Sequence, residues 1–280
     1  MPTSYARPEL LASPDWLAEH LGRPGIRVID CRYRVDGSGR QLHAVGHIPG
    51  AVFVDWAHDL VDTDDELPYQ LVGPDAFAAV LSRAGIGDGM TAVLYDDAAS
   101  HYAARMWWSL QVYGFQSVRI LDGGWTAWQA SGRPVSSASG EPEPATFTPR
   151  ASPRWQLSTG DVRALLGSRE VDVIDVRAPA EFHGQGGNAL RLGHIPGAIN
   201  VPAALLTEPG SQRFVPADRA ARVFAEAGAA RARRAITYDG SGIAATKSAF
   251  VLDLLGYADI AVYAAGWADW GSRMDLPVDR

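Results

Sequence analysis

The chain has 280 residues, 47% of them hydrophobic and 20% charged, a globular composition that excludes wholesale disorder, a collagen-like fibre and a coiled coil; the length suits about two domains. With 25 Lys and Arg against 32 Asp and Glu, the formal charge is −7, which argues against generic binding to nucleic acid. No apolar run of membrane-spanning length occurs and the opening MPTSYARPELLASPDW has no continuous apolar stretch of leader length, so no membrane span is expected and a cytoplasmic location is the default expectation.

Short apolar runs alternate with helical patterns along the chain. In chain order, residues 26–30, 51–54, 91–95 and 117–121 read as strands, and residues 171–175, 198–201, 235–238 and 259–263 read as strands again. They are too continuously apolar to have one wet face, so they suit buried parallel sheets. Ser158 is placed to cap a helix running to Leu166 and stopped by Gly167, and an apolar helical stretch over 242–255 stops at Gly256. Strands alternating with helices predict an α/β fold with helices on both sheet faces.

The pattern is written twice. Val28-Ile29-Asp30-Cys31-Arg32 returns as Val173-Ile174-Asp175-Val176-Arg177, and Gly46-His47-Ile48-Pro49-Gly50-Ala51 as Gly193-His194-Ile195-Pro196-Gly197-Ala198. Tyr95-Asp96 returns as Tyr238-Asp239, and Trp125 and Trp128 as Trp267 and Trp270. Matches in one order at nearly constant spacing indicate two homologous domains in tandem. The first is placed at residues 1–137 and the second at 154–280, packed face to face. Between them, residues 138–153 form a linker in which Pro142, Pro144, Pro149 and Pro153 block regular helix and central strand.

Cys31 is the only cysteine. An intramolecular disulfide and a Cys-rich zinc site are therefore impossible. Its counterpart, Val176, is apolar, which suggests a small buried core thiol rather than a reactive one.

Ligands of parallel α/β sheets gather at the carboxyl ends of strands. There, Tyr238-Asp239-Gly240-Ser241-Gly242-Ile243-Ala244-Ala245 leaves an apolar strand and enters an apolar helix. Its glycines let the backbone curl, so that successive N–H groups converge at a positive helix end and favour an anion. The same sequence also suits a tight strand-to-helix turn with no ligand. Gly240-x-Gly242-x-x-Ala245 fits part of a dinucleotide fingerprint, with Asp259 about twenty residues on. The motif falls late in its domain and Asp259 precedes its strand, so dinucleotide binding is not expected.

The tandem organisation, the two GHIPGA turns, Asp122-Gly123-Gly124-Trp125 and the YDGSGIAA loop resemble the rhodanese family, most closely its two-domain thiosulfate and 3-mercaptopyruvate sulfurtransferases. The resemblance implies two tandem rhodanese-like domains, each a parallel sheet flanked by helices, with an inert N-terminal copy and an active loop in the C-terminal one. It implies a small anionic sulfur compound as substrate and no cofactor; it points to no particular protein partner. In the family, a cysteine thiolate opens the loop, takes a sulfane sulfur from the donor and passes it from a persulfide to an acceptor. Here Gly240-Ser241-Gly242 matches the mercaptopyruvate-type loop, while Asp239 stands at the cysteine position. A carboxylate cannot form a persulfide.

The resemblance therefore puts Asp239 at the catalytic position and Gly240, Ser241, Gly242, Ile243 and Ala244 in the anion-binding loop. The arginine that commonly holds the donor is replaced by Glu181, before Phe182, which leaves Arg177 and Arg191 as substrate-binding candidates. The histidine of the mercaptopyruvate enzymes is also replaced, by Tyr69 or Gln70. Two readings follow. One is a catalytically silent homologue serving as a binding or regulatory module; the alternative is a genuine sulfurtransferase in which Asp239 is a cloning or sequencing change. On the first reading, the Asp239 carboxylate fills the anion site, accepts N–H bonds, titrates below the ordinary carboxylate value of about 3.9 and excludes external anions.

Other features read as structural. His47 and His194 sit in identical turns, one of them in the copy expected to be inert. His43 and His47 have a metal-like spacing, but Gly46 and Pro49 break the helix it needs, so no metal is expected. Residues 62–66 resemble part of a calcium loop without its glycine and read as a solvated acidic turn. Trp107, Trp108, Trp125, Trp128, Trp267 and Trp270 read as core residues of the two domains.

Overall fold

A computed structural model describes residues 3–138, 140, 142–187 and 189–280. The first copy opens on β1 (Leu11–Ala12) and α1 (Pro14–His20), whose cap Ser13 accepts from the Trp16 N–H. Next come β2 (Ile26–Asp30), α2 (Gly39–Val45), β3 (Val52–Phe53), α3 (Trp56–Asp59) and α4 (Pro74–Arg83). It closes with β4 (Thr91–Tyr95), α5 (His101–Val112), β5 (Val118–Leu121) and α6 (Gly124–Ala130). The second copy runs α7 (Thr159–Leu165), β6 (Val171–Asp175), α8 (Pro179–Phe182), β7 (Ile199–Asn200), α9 (Ala217–Glu226), β8 (Arg234–Tyr238), α10 (Ala244–Leu254), β9 (Ile260–Val262) and α11 (Gly266–Trp270).

Each copy builds its own parallel sheet, in the order β1-β5-β4-β2-β3 and β7-β6-β8-β9. Read from the opposite edge, the second order repeats the first without β1. The central registers repeat too: β2 pairs with β4 from Ile26↔Thr91 to Asp30↔Tyr95, and β6 with β8 from Val171↔Arg234 to Asp175↔Tyr238. Val28, Ile29, Val93 and Leu94 are all buried, which explains why both strands are apolar on successive residues. β1 is an edge strand of two residues with no periodic signal; in the second copy a single Gln156–Val262 bridge takes its place.

Local chemistry sets the helix starts. Ser158 Oγ accepts from the Asp161 N–H while the Asp161 carboxylate accepts from the Ser158 N–H, a reciprocal capping box, and α7 ends one residue before the expected Leu166. Helices α5 and α10 are almost wholly buried, because they pack on each other as well as on their sheets. Trp107 of α5 meets Phe250 of α10 edge to face at 5.1 Å, and Trp155 at 5.3 Å. The largest apolar core therefore runs through both copies. Trp107 and Trp108 lie in that shared core, while Trp128 and the pair Trp267 and Trp270 are buried in smaller clusters, one in each copy, as expected of core residues. Trp125 departs from that expectation: it is half-buried and lies over the Arg32 guanidinium at 4.5 Å.

Where described, residues 138–152 hold no helix or strand; residues 139 and 141 lie outside the described set. The segment is nevertheless pinned to the first copy. The Asp88 N–H donates to Thr146 O at 2.8 Å, the Arg150 N–H to Tyr113 O at 2.9 Å and the Ser152 N–H to Val112 O at 2.7 Å. Phe147 is buried against Phe77 and Phe115. The linker is a strap, not a free tether. Among the described residues, no helix is long and apolar enough to cross a membrane.

Candidate functional site

β8 delivers Asp239 at its carboxyl end, and the chain curls through residues 240–243 before α10 begins. Two glycines permit the curl. Gly242 has φ +78° and lies against the Ala264 backbone; Gly266, with φ +57°, lies so close to the Asp239 carbonyl oxygen that a Cβ would collide with it. Behind the loop, the Trp267 N–H donates to Asp239 O at 2.8 Å and the Ala268 N–H to Gly240 O at 2.9 Å.

The Asp239 side chain folds into its own loop. Oδ1 accepts from the Gly242 N–H at 2.5 Å and Oδ2 from the Ala244 N–H at 2.9 Å. Among the described residues, the N–H groups of Gly240, Ser241 and Ile243 find no acceptor. The carboxylate thus takes only part of the cradle.

The direction of its titration differs from the sequence-based expectation. Burial pushes the Asp239 carboxyl above its usual range; the Ala244 and Gly242 N–H bonds and Arg105 pull it down without overcoming burial, and Asp175 adds to the rise. Desolvation of a buried charge outweighs two N–H donors here. Against the loop, α5 of the other copy places Arg105. Its guanidinium donates from Nη1 to Gly242 O at 2.9 Å and from Nη2 to Tyr69 O. Burial pulls Arg105 down to about 10, with Asp239 opposing. The sequence reading missed Arg105; its signal was a lone charge inside the apolar stretch of α5.

The first copy carries a fuller version of the same device. Asp96, the counterpart of Asp239, accepts from the N–H groups of Ala98, Ser100, Tyr102 and Ala103 at 2.8–3.0 Å. The Ala99 N–H is taken by Gln212 Oε1 of the second copy at 3.2 Å. That loop is closed, whereas the 239 loop keeps free donors.

The structure commits the two candidate arginines to internal partners. Arg177 is buried, donates from Nε to Asp175 Oδ1 at 3.0 Å and from Nη2 to Gly193 O at 2.7 Å, and lies under the Trp267 ring at 4.7 Å. Arg32 repeats the same contacts in the first copy, with Asp30, Gly46 O and Trp125, as a shared structural clamp does. Arg191 serves carbonyls of the last turn, Leu276 O at 2.7 Å and Trp270 O at 2.8 Å among them. Neither guanidinium bonds the 239 loop. Glu181 is half-buried at the end of α8.

Tyr69 has a left-handed φ of 58°, and its carbonyl is held by Arg105. Gln70 turns its amide onto Pro68 O at 3.0 Å. Cys31 is fully buried, and burial, with Asp96 and Asp30 nearby, raises its thiol well above the usual range. His47 bonds His43 O and stacks on His43 at 4.0 Å, while His194 bonds Phe182 O and stacks on Phe182 at 3.7 Å. Both histidines hold their turns. Among the described residues, no three His, Cys, Asp or Glu side chains gather as metal ligands.

Comparison with known proteins places this geometry. The model of the rhodanese-like domain matches the chain twice, over residues 13–131 and 158–273. The chain belongs to the rhodanese family. It is 34% identical over 274 residues to the 3-mercaptopyruvate sulfurtransferase of Escherichia coli strain K12, covering 95% of this chain and 96% of that one. It is 33% identical to the thiosulfate sulfurtransferase of Corynebacterium glutamicum, covering 98% and 92%. Among solved structures, SseA from Escherichia coli superimposes with a TM-score of 0.84 at 31% identity, covering 92% of this chain and 98% of that one. The tandem rhodanese architecture accounts for the two sheets, their shared strand order and the loop at the carboxyl end of β8.

Proposed function

We propose that this protein is a rhodanese-family sulfurtransferase homologue of the thiosulfate and 3-mercaptopyruvate type that does not transfer persulfide sulfur and serves as a binding or regulatory module. The observation that carries this reading is the Asp239 carboxylate bonded inside its own loop, at the position where the family resemblance sets the nucleophilic cysteine. A carboxylate has no sulfur on which to build a persulfide. The lone thiol, Cys31, is fully buried, and that burial pushes its titration well above the usual thiol range; neither Arg177 nor Arg191 is free to take the anionic end of a donor. On this reading residues 1–137 are the inert copy, residues 138–153 the linker and residues 154–280 the copy bearing the loop. The protein works in the cytoplasm on a small sulfur-containing ligand.

The second reading is a genuine sulfurtransferase whose Asp239 arose in cloning or sequencing. The names of the relatives favour it, at 33–34% identity over nearly the whole chain. One experiment separates the two: re-reading the gene from its source, then assaying the purified protein with thiosulfate and with 3-mercaptopyruvate. The first reading expects an Asp codon at 239 and no turnover from either donor. A Cys codon, or turnover that survives Cys31→Ser, overturns it.

A further inference from the structure

Where the strap crosses the seam between the copies, the fold leaves an open cavity of about 630 Å³, within the size range of pockets that take organic ligands. The first copy contributes Leu67, Gln70 and Val112, the strap contributes Ser152, and the second copy contributes Asp161 and Ala265. Neither copy alone would form it. Its wall is mainly apolar. Gln70 spends one amide N–H on Pro68 O, which leaves its second N–H and its amide oxygen, and Ser152 adds a hydroxyl.

Charge narrows the occupant. Among the described residues, no Lys, Arg or His lines the cavity, and the one carboxylate, Asp161, lies exposed at the rim. Its hydrogen bonds from Ser158 hold it below the usual carboxylate range, so it is ionised at neutral pH. An anion meets that charge and finds no cation to offset it. A cation gains little from an exposed carboxylate already bonded to Ser158.

We propose that this cavity binds an uncharged organic molecule with an apolar body and one or two hydrogen-bonding groups, a ligand distinct in chemistry from the anionic sulfur donors of the family. The site backs onto the 239 loop. Ala265 precedes Gly266 and Trp267, and the Trp267 N–H donates to Asp239 O; Leu67 and Gln70 flank Tyr69, whose carbonyl shares Arg105 with Gly242. An occupant therefore lies against the sequence neighbours of both backbone routes that hold the loop.

The test is a fluorescence titration of the full chain with Nile red, an uncharged apolar dye, alongside the anionic dye anilinonaphthalene sulfonate. The unmodified protein should bind Nile red saturably, one dye per chain, without displacement by the anionic dye. Ser152→Trp should fill the cavity and weaken Nile red by about tenfold or more. Leu67→Arg should also weaken it while creating affinity for the anionic dye. Melting curves show which variant keeps the fold, and either folded variant is sufficient. The proposal is overturned if the unmodified protein shows no saturable binding, if a folded variant binds Nile red as the unmodified protein does, or if the anionic dye displaces it.

Discussion

Arg105 of the first copy donates to the Gly242 carbonyl of the second at 2.9 Å, across the seam. The arrangement is reciprocal. Lys247 of the second copy is fully buried, bonds Thr207 Oγ1 at 3.5 Å and no other side chain among the described residues, and feels the charge of Asp96 in the first. Each copy lends a buried cation to the loop carboxylate of the other. Arg105→Ala leaves the Tyr69 and Gly242 carbonyls without their donor and opens a cavity, so it should lower unfolding free energy by about 3 kcal/mol in urea titrations. Arg105→Lys should restore little of that, because a single ammonium cannot reproduce a fork that spans two carbonyls.

Lys247 sets a pH dependence. Burial pulls its amine from 10.5 down to about 8, with Asp96 opposing. A lysine with a lowered folded pKa costs stability wherever the unfolded chain would hold it charged. That cost is complete below about pH 8 and fades as pH rises toward 10.5. Lys247→Met should therefore be more stable than the unmodified protein near pH 7, by up to ~3 kcal/mol. The gap should shrink steadily up to pH 10. Paired melting curves at several pH values check the sign; a gap that widens with pH contradicts it.

Asp239→Cys places a thiol against the Gly242 and Ala244 N–H groups and near Arg105. Both pull toward a thiolate, against the burial that outweighs them at Asp239. Iodoacetamide should therefore label residue 239 slowly at neutral pH and faster as pH rises, leaving the fully buried Cys31 unlabelled, as peptide mapping would show. Recovery of sulfur transfer should be weak, because Arg177 and Arg191 remain committed to internal partners.

Two loop glycines should separate sharply. Gly266→Ala forces a Cβ onto the Asp239 carbonyl oxygen at a positive φ, and should cost about 2 kcal/mol or more. Gly240→Ala meets nothing within 4 Å and should leave the urea midpoint nearly unchanged. Equal losses at both positions would mean that the close approach at Gly266 does not govern the loop.

The strands at 26–30, 91–95 and 171–175 were legible end to end because Val, Ile and Leu crowd successive positions there. Strands at 51–54 and 198–201 shrink to two residues each, since they are edge strands with one partner to define their length. The helix cap at Ser158 and the curled loop at 240–243 were legible for local reasons: a hydroxyl at the head of a helical stretch that a glycine stops, and glycines between strand and helix. What stayed hidden came from across the seam. Nothing near Asp239 in sequence announces Arg105, and nothing near the tryptophans says that Trp107 packs on Phe250 of the other copy. The direction of the Asp239 titration was missed because burial, which raises it, is a property of the packed structure rather than of the loop sequence.

The seam between α5 and α10 has the character of an obligate dimer interface whose two subunits share one polypeptide, with the pinned strap supplying a high effective concentration. Halves made as separate chains should recover their structure only as a heterodimer. A single substitution on either central helix then disturbs both loops at once, the open one at Asp239 and the closed one at Asp96.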